Sequence, residues 1–169
     1  MTEIYYSDGK PAGDFKYPAR IDLPVGPEQI DVKFEITQTD WGLVIRIPGD
    51  VLFDFDKDVL NYKASETLGK IFKYINQLPE TYSRIVIEGH TDSIEKTPGY
   101  NMDLSRRRAQ RVGNYFATYK SHLDRDYRID PPVGFGAMKP VAPNKKPDGS
   151  DNPEGREKNR RVEIRLFKK

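Results

Sequence analysis

Asp92 and Arg108 are the two residues whose types and placement suit them to hold a ligand between them. Asp92 follows the apolar, β-branched run at residues 85–89, and Arg108 stands on the helical pattern beyond it, behind Arg106 and Arg107. Arg108 lies four residues after Leu104 and four before Val112, so helical periodicity puts it on the stripe that Leu104, Val112, Tyr115 and Tyr119 turn inward. A cation on an inward stripe needs an anionic partner. Asp92, at the mouth of the preceding strand, is the obvious candidate. An acid and a base converging on one loop-lined concavity can hold a zwitterion, and the same pair can equally be a structural tie between strand and helix. The pattern also places the three arginines in or near the first two turns of the helix, where the macrodipole favours acids, so anions are expected around them.

The elements that must position this pair can be read from periodicity. Residues 84–88 form a central strand, and Gly89 lets the chain turn with its backbone close to whatever lies above. The helix is expected from Met102 or Asp103 to about Ser121, capped by Asn101 or Asp103. Earlier in the chain, Ala64, Leu68, Ile71, Phe72, Ile75 and Leu78 mark an amphipathic helix over residues 62–78 that Pro79 closes. Residues 30–37 alternate with period two, residues 43–47 make a second strand, and Thr39, Asp40, Trp41 and Gly42 supply the turn of a hairpin. Residues 127–129 and 133–135 read as a short strand interrupted by Pro131 and Pro132, which belongs at an edge or a bend. The final strand, residues 161–166, alternates Val162, Ile164 and Leu166 with Arg161, Glu163 and Arg165. Residues 143–158 contain no large apolar side chain and read as a solvated loop. Residues 1–30, punctuated by four prolines and three glycines, read as an extended arm, yet one carrying enough aromatic and aliphatic residues to pack on the domain or on a second copy.

Composition narrows the function classes. At 169 residues the chain suits one domain plus an extension. No apolar run approaches the ~20 residues of a membrane-spanning helix, and Met1 is followed by a polar segment rather than a signal peptide, so an export signal or anchor is expected to be absent or trimmed away. A net charge of +2 is too small to draw a nucleic acid by bulk electrostatics, and no aromatic residues are interleaved with the RRRAQR run. Zero cysteines remove disulfides and thiolate metal sites. His90 and His122 are too few and too far apart for a metal centre, and His90 is expected to bond structurally within its loop. The alternating Asp54, Asp56 and Asp58 fail as a calcium loop started at Asp54, because Val59 and Ser65 stand where glycine and glutamate would be needed. A wall-cleaving enzyme would need facing carboxylates, a metal cluster or a cysteine that the sequence does not supply, and the expectation is a non-enzyme without cofactor.

Three separated motifs add a resemblance. GHTD at residues 89–92, then Asn101, Leu104, Ser105, Arg108 and Ala109, then NRRVEI at 159–164 resemble the OmpA-like peptidoglycan-binding domain, over roughly residues 51–167. GFGAMKP at 134–140 is similar to that family's G.G...P turn. The resemblance implies an α+β fold: a βαβαββ sandwich with two main helices packed on one face of a mixed four-stranded sheet, here spanning residues 31–169 with its hairpin. Phe53 and Phe55 would then be core. It implies a non-catalytic binder that clamps the diaminopimelate zwitterion of a stem peptide between Asp92 and Arg108, with Thr91, Asn101, Leu104, Ser105 and Arg160 lining the site. Arginine suits this role through its planar fork, which meets a carboxylate bidentately. A periplasmic, wall-associated setting follows, as a lipoprotein or porin tether or, as the arm and hairpin favour, a stator-type subunit. A homodimer and a membrane partner engaged through a segment outside this chain are expected there, with no nucleic acid.

Overall fold

The computed structural model describes residues 34–169, so the arm and the first residues of the expected first strand lie outside the described residues. β1 (Glu35–Thr39) and β2 (Gly42–Pro48) form the hairpin, its turn pinned by the Thr39 hydroxyl, which accepts from the Gly42 N–H and donates to the Gly42 carbonyl. A single helical turn, α1 (Gly49–Leu52), leads to α2 (Ala64–Gln77), β3 (Tyr82–His90) and α3 (Tyr100–Thr118). β4 (Arg128–Ile129), β5 (Val133–Gly134), α4 (Pro153–Asn159) and β6 (Arg161–Lys168) complete the chain.

The sheet runs β1-β2-β6-β3-β4, with β5 continuing the β4 side of β3. β6 is antiparallel to both of its neighbours, while β4 and β5 run parallel to β3. The mixed α+β architecture is the expected one. The prolines at 131 and 132 split the outer strand into two short pieces, since neither can donate to a ladder. One face of the sheet carries Ile45, Ile47, Ile85, Ile87, Ile164 and Leu166 against Leu68, Phe72 and Ile75 of α2 and Val112 and Phe116 of α3. Phe72 and Phe116 meet at 4.6 Å between ring centroids.

The other face of β6 is also shut away from water. Arg161 and Glu163, which alternate with the apolar residues of β6, are buried and hydrogen-bonded to each other at 2.8 Å, and Arg46 reaches Glu163 at 3.2 Å. Burial alone would raise the Glu163 carboxyl, but the Arg161 hydrogen bond and charge, with Arg46, override it and hold the group at about 2.

Two boundaries differ from expectation. α3 begins at Tyr100, behind Gly99 in the left-handed region (φ 84°), and ends at Thr118, with residues 120–122 forming a separate 3-10 turn. Neither Asn101 nor Asp103 caps it. Starting there, Arg106 to Arg108 fall beyond most of the dipole's reach, and the anticipated conflict with the helix amino end largely disappears. The stretch 143–158 is not all loop, because α4 begins within it: Asn152 caps the helix by accepting from the Gly155 N–H, and Pro153 occupies the first turn.

Candidate functional site

β3, α3, α4 and the segment after α1 converge on a cavity of about 280 Å³. Its walls are Phe53 to Asp56, the loop residues Thr91, Asp92, Ile94 and Lys96, the α3 residues Tyr100, Asn101, Leu104 and Arg108, and Arg156 and Arg160 from α4 and its end. A larger depression, about 480 Å³, lies between the hairpin and α4 and contains none of the expected site residues. The expected site residues, Ser105 apart, line the smaller one.

Close contact between α3 and the sheet aims these groups. A Cβ on Gly89 would stand 2.1 Å from the Ser105 carbonyl oxygen, and one on Gly134 would stand 2.3 Å from the Arg106 nitrogen. Only glycine permits this approach. Ser105 itself is fully buried, donates to the Met102 carbonyl and accepts from the Gly136 N–H, so it ties α3 to the Gly134–Gly136 turn and does not line the cavity.

Arg108 is 7% exposed. Its Nε donates to the Lys57 carbonyl at 2.9 Å, and its guanidinium carbon sits 5.0 Å from the Phe53 ring centroid. Among the described residues no carboxylate forms an ion pair with it. Desolvation pulls its pKa below the usual arginine value, and Asp56 is the strongest charge pulling back; the side chain remains a cation. The neighbouring arginines are satisfied: Arg107 holds Asp58 at 2.6 Å and Arg106 holds Asp103 at 3.1 Å.

Asp92 is buried, but it does not pair with Arg108. One oxygen accepts from the Ile94 N–H at 2.9 Å, and the other takes Arg160 at 2.7 Å, with Arg156 at 3.5 Å. The expected direct tie is replaced because NRRVEI brings Arg160 up against the loop, while Arg108 is drawn toward the Lys57 carbonyl. Asn101 explains the loop's shape: its amide donates to the carbonyls of Asp92 and Ile94, and its own N–H is taken by Glu95. Thr91 donates its hydroxyl to the Asp92 carbonyl and its N–H to Gly136, and Leu104 supplies an apolar wall.

Sequence reasoning missed two parts of the site. Arg156 arrives on α4, hidden in a stretch read by composition; Asn152-Pro153 was the helix-start signal available there. Asp56, Lys96 and Tyr100 form a cluster on the rim, with Lys96 and the Tyr100 hydroxyl both donating to Asp56, the latter at 2.5 Å. Those bonds hold the Asp56 carboxyl below, and the Tyr100 hydroxyl above, its ordinary range. Phe53 is core as expected, but Phe55 is 89% exposed at the cavity edge.

Away from the cavity, Glu88, His90 and Glu163 bring one ligand atom each within 4.8 Å of one another. Arg46, Arg161 and Arg165 already occupy both carboxylates, so a divalent ion would enter a site crowded with cations. His90 does not bond within the loop it heads; it stacks on Phe135 beside Glu88, and desolvation lowers its pKa.

Residues 52–156 match the pattern of the OmpA family. The chain is 38% identical over 134 residues to photosystem I P700 chlorophyll a apoprotein A2 of Gloeobacter violaceus, covering 78% of this chain and 14% of that protein. The chain spans 32% and 54% of the next curated relatives it matches. Among solved structures, the periplasmic domain of MotB from Helicobacter pylori superposes with a TM-score of 0.62 at 27% identity, covering 79% of this chain and 88% of that one. The cell wall anchor of the T6SS from Pseudomonas aeruginosa gives 0.65 at 26% identity, covering 81% and 89%. Among the described residues no helix is long and apolar enough to cross a membrane.

Proposed function

Because this chain belongs to the OmpA family, we propose that its cavity is a non-catalytic peptidoglycan site, which clamps the diaminopimelate residue of a stem peptide. The observation that carries the reading is Arg108: a nearly buried guanidinium, open to the cavity, with no carboxylate bound to it among the described residues. A buried cation without an anion is costly to the fold, and a ligand carboxylate offsets that cost. The side-chain end of diaminopimelate carries a carboxylate and an ammonium on one carbon. Its carboxylate meets the Arg108 fork, and its ammonium lies toward Asp92, sharing that carboxylate with Arg160. Thr91, Asn101 and Leu104 shape the pocket around it.

The likeness to a MotB periplasmic domain and to a cell wall anchor supports a setting in which the domain holds a membrane-bound machine to the wall from the periplasm, as a homodimeric, stator-type subunit. Calorimetry tests the ligand. A soluble diaminopimelate stem peptide is expected to bind the wild type, while its lysine counterpart, lacking the distal carboxylate, binds about tenfold or more weakly. Equal affinity for the two peptides would overturn the clamp.

A further inference from the structure

Among the described residues Arg108 has no ionic partner, although a carboxylate lies within electrostatic reach. Asp56 sits on the same turn as Lys57, whose carbonyl anchors Arg108, and it exerts the strongest attraction that Arg108 feels from any described residue. An ion pair between them would be the ordinary outcome. No such pair is present: one Asp56 oxygen accepts from the Tyr100 hydroxyl at 2.5 Å, and the other pairs with Lys96. Asp56 adopts φ 58°, and it is the one non-glycine residue with positive φ among the described residues. Such a backbone is uncommon outside glycine and needs surroundings that hold it. Lys96 is half-exposed, and an ion pair at such a surface adds little to stability.

We propose that Lys96 and Tyr100 are positioning residues that hold the Asp56 carboxylate away from Arg108, keeping the guanidinium free for a ligand carboxylate. The proposal rests on the reading of the cavity given above. Asp56 then competes with the ligand's carboxylate for Arg108, and Lys96 and Tyr100 disarm it. The two holders come from the loop after β3 and from the first residue of α3, so the geometry of that loop sets how open the site is.

The test is a cycle of variants read by calorimetry with the diaminopimelate stem peptide. Lys96→Met with Tyr100→Phe is expected to weaken binding about fivefold or more, as Asp56 closes on Arg108. Adding Asp56→Asn is expected to restore affinity to within about twofold, because asparagine tolerates the positive φ but carries no charge. Weakened binding that Asp56→Asn does not restore would mean that Lys96 or Tyr100 touches the ligand directly, and would overturn the proposal, as would no weakening at all. A crystal structure of the ligand-free Lys96→Met, Tyr100→Phe protein separates this proposal from the peptide reading: it is expected to show an Asp56–Arg108 ion pair whichever ligand the cavity takes. Arg108 still unpaired there would overturn the proposal even if the wild type binds the peptide.

Discussion

The Asp92 carboxylate takes its 2.7 Å hydrogen bond from Arg160 and leaves Arg108, the other half of the expected pair, without an ionic partner among the described residues. The acid is prepaid with a cation and the base is not. The cavity as it stands is therefore better prepared for an incoming carboxylate than for an incoming ammonium.

Arg108→Lys is expected to lower affinity for the diaminopimelate peptide about tenfold, because a point charge replaces a planar fork. Arg108→Met should abolish measurable binding while leaving the melting temperature unchanged or higher, since it removes a cation whose lowered pKa shows that burial disfavours its charged form. Calorimetry and a thermal melt on the same preparations check both halves. A large drop in melting temperature for Arg108→Met would show that the residue is structural.

Asp92→Asn isolates charge from shape. The amide oxygen can still accept from the Ile94 N–H, so the loop is expected to keep its form, but Arg160 loses its counter-ion while Arg156 keeps Asp151, at 2.6 Å. Peptide affinity should fall about tenfold or more, with a stability loss near 1 kcal/mol in denaturant unfolding. Unchanged affinity would place the ligand ammonium elsewhere.

Gly89→Ala tests the seating of α3. With the new methyl 2.1 Å from the Ser105 carbonyl oxygen, a backbone atom, the helix must shift, at a cost of about 1–3 kcal/mol in urea unfolding. Because α3 carries Arg108, affinity should fall with it. A variant as stable as the wild type would mean that the helix and strand are less tightly seated than the structure shows.

Stability should depend on acid through Glu163. Its folded-state value, about 2, lies below its ordinary value of 4.5, so its contribution is fully present above pH 4.5 and is lost as the pH falls from there toward 2. The full contribution is about 3 kcal/mol. Glu163→Gln is expected to be less stable at pH 7 and to show a flatter stability profile between pH 4.5 and 2. A variant with the wild-type acid profile would assign the dependence to other carboxylates.

Much of the fold was legible because its determinants are local. The alternation at 43–47 and 161–166, the helical spacing of Leu68, Phe72 and Ile75, and the prolines at 131 and 132 each report one element through its own few residues. Where the reading failed, the deciding partner was distant in sequence. Alternation set Arg161 and Glu163 apart from the apolar face of β6 but did not show their burial, which goes with the place of β6 between β2 and β3 and with the Arg46 contact. α4 was concealed because its seven residues present no apolar stripe for periodicity to detect.

For the candidate site, the sequence and its family resemblance named the residues in advance: Thr91 and Asp92 at a strand mouth, Asn101 and Arg108 on the helix that follows, and Arg160 just ahead of the last strand. Tertiary structure alone decided the pairings. An ion pair depends on which charges the folded chain brings within about 4 Å, and spacing along the chain says nothing of competitors that arrive from other elements. Arg160 and Arg156 pair with Asp92, Lys96 and Tyr100 hold Asp56, and Arg108 is left without an ionic partner among the described residues.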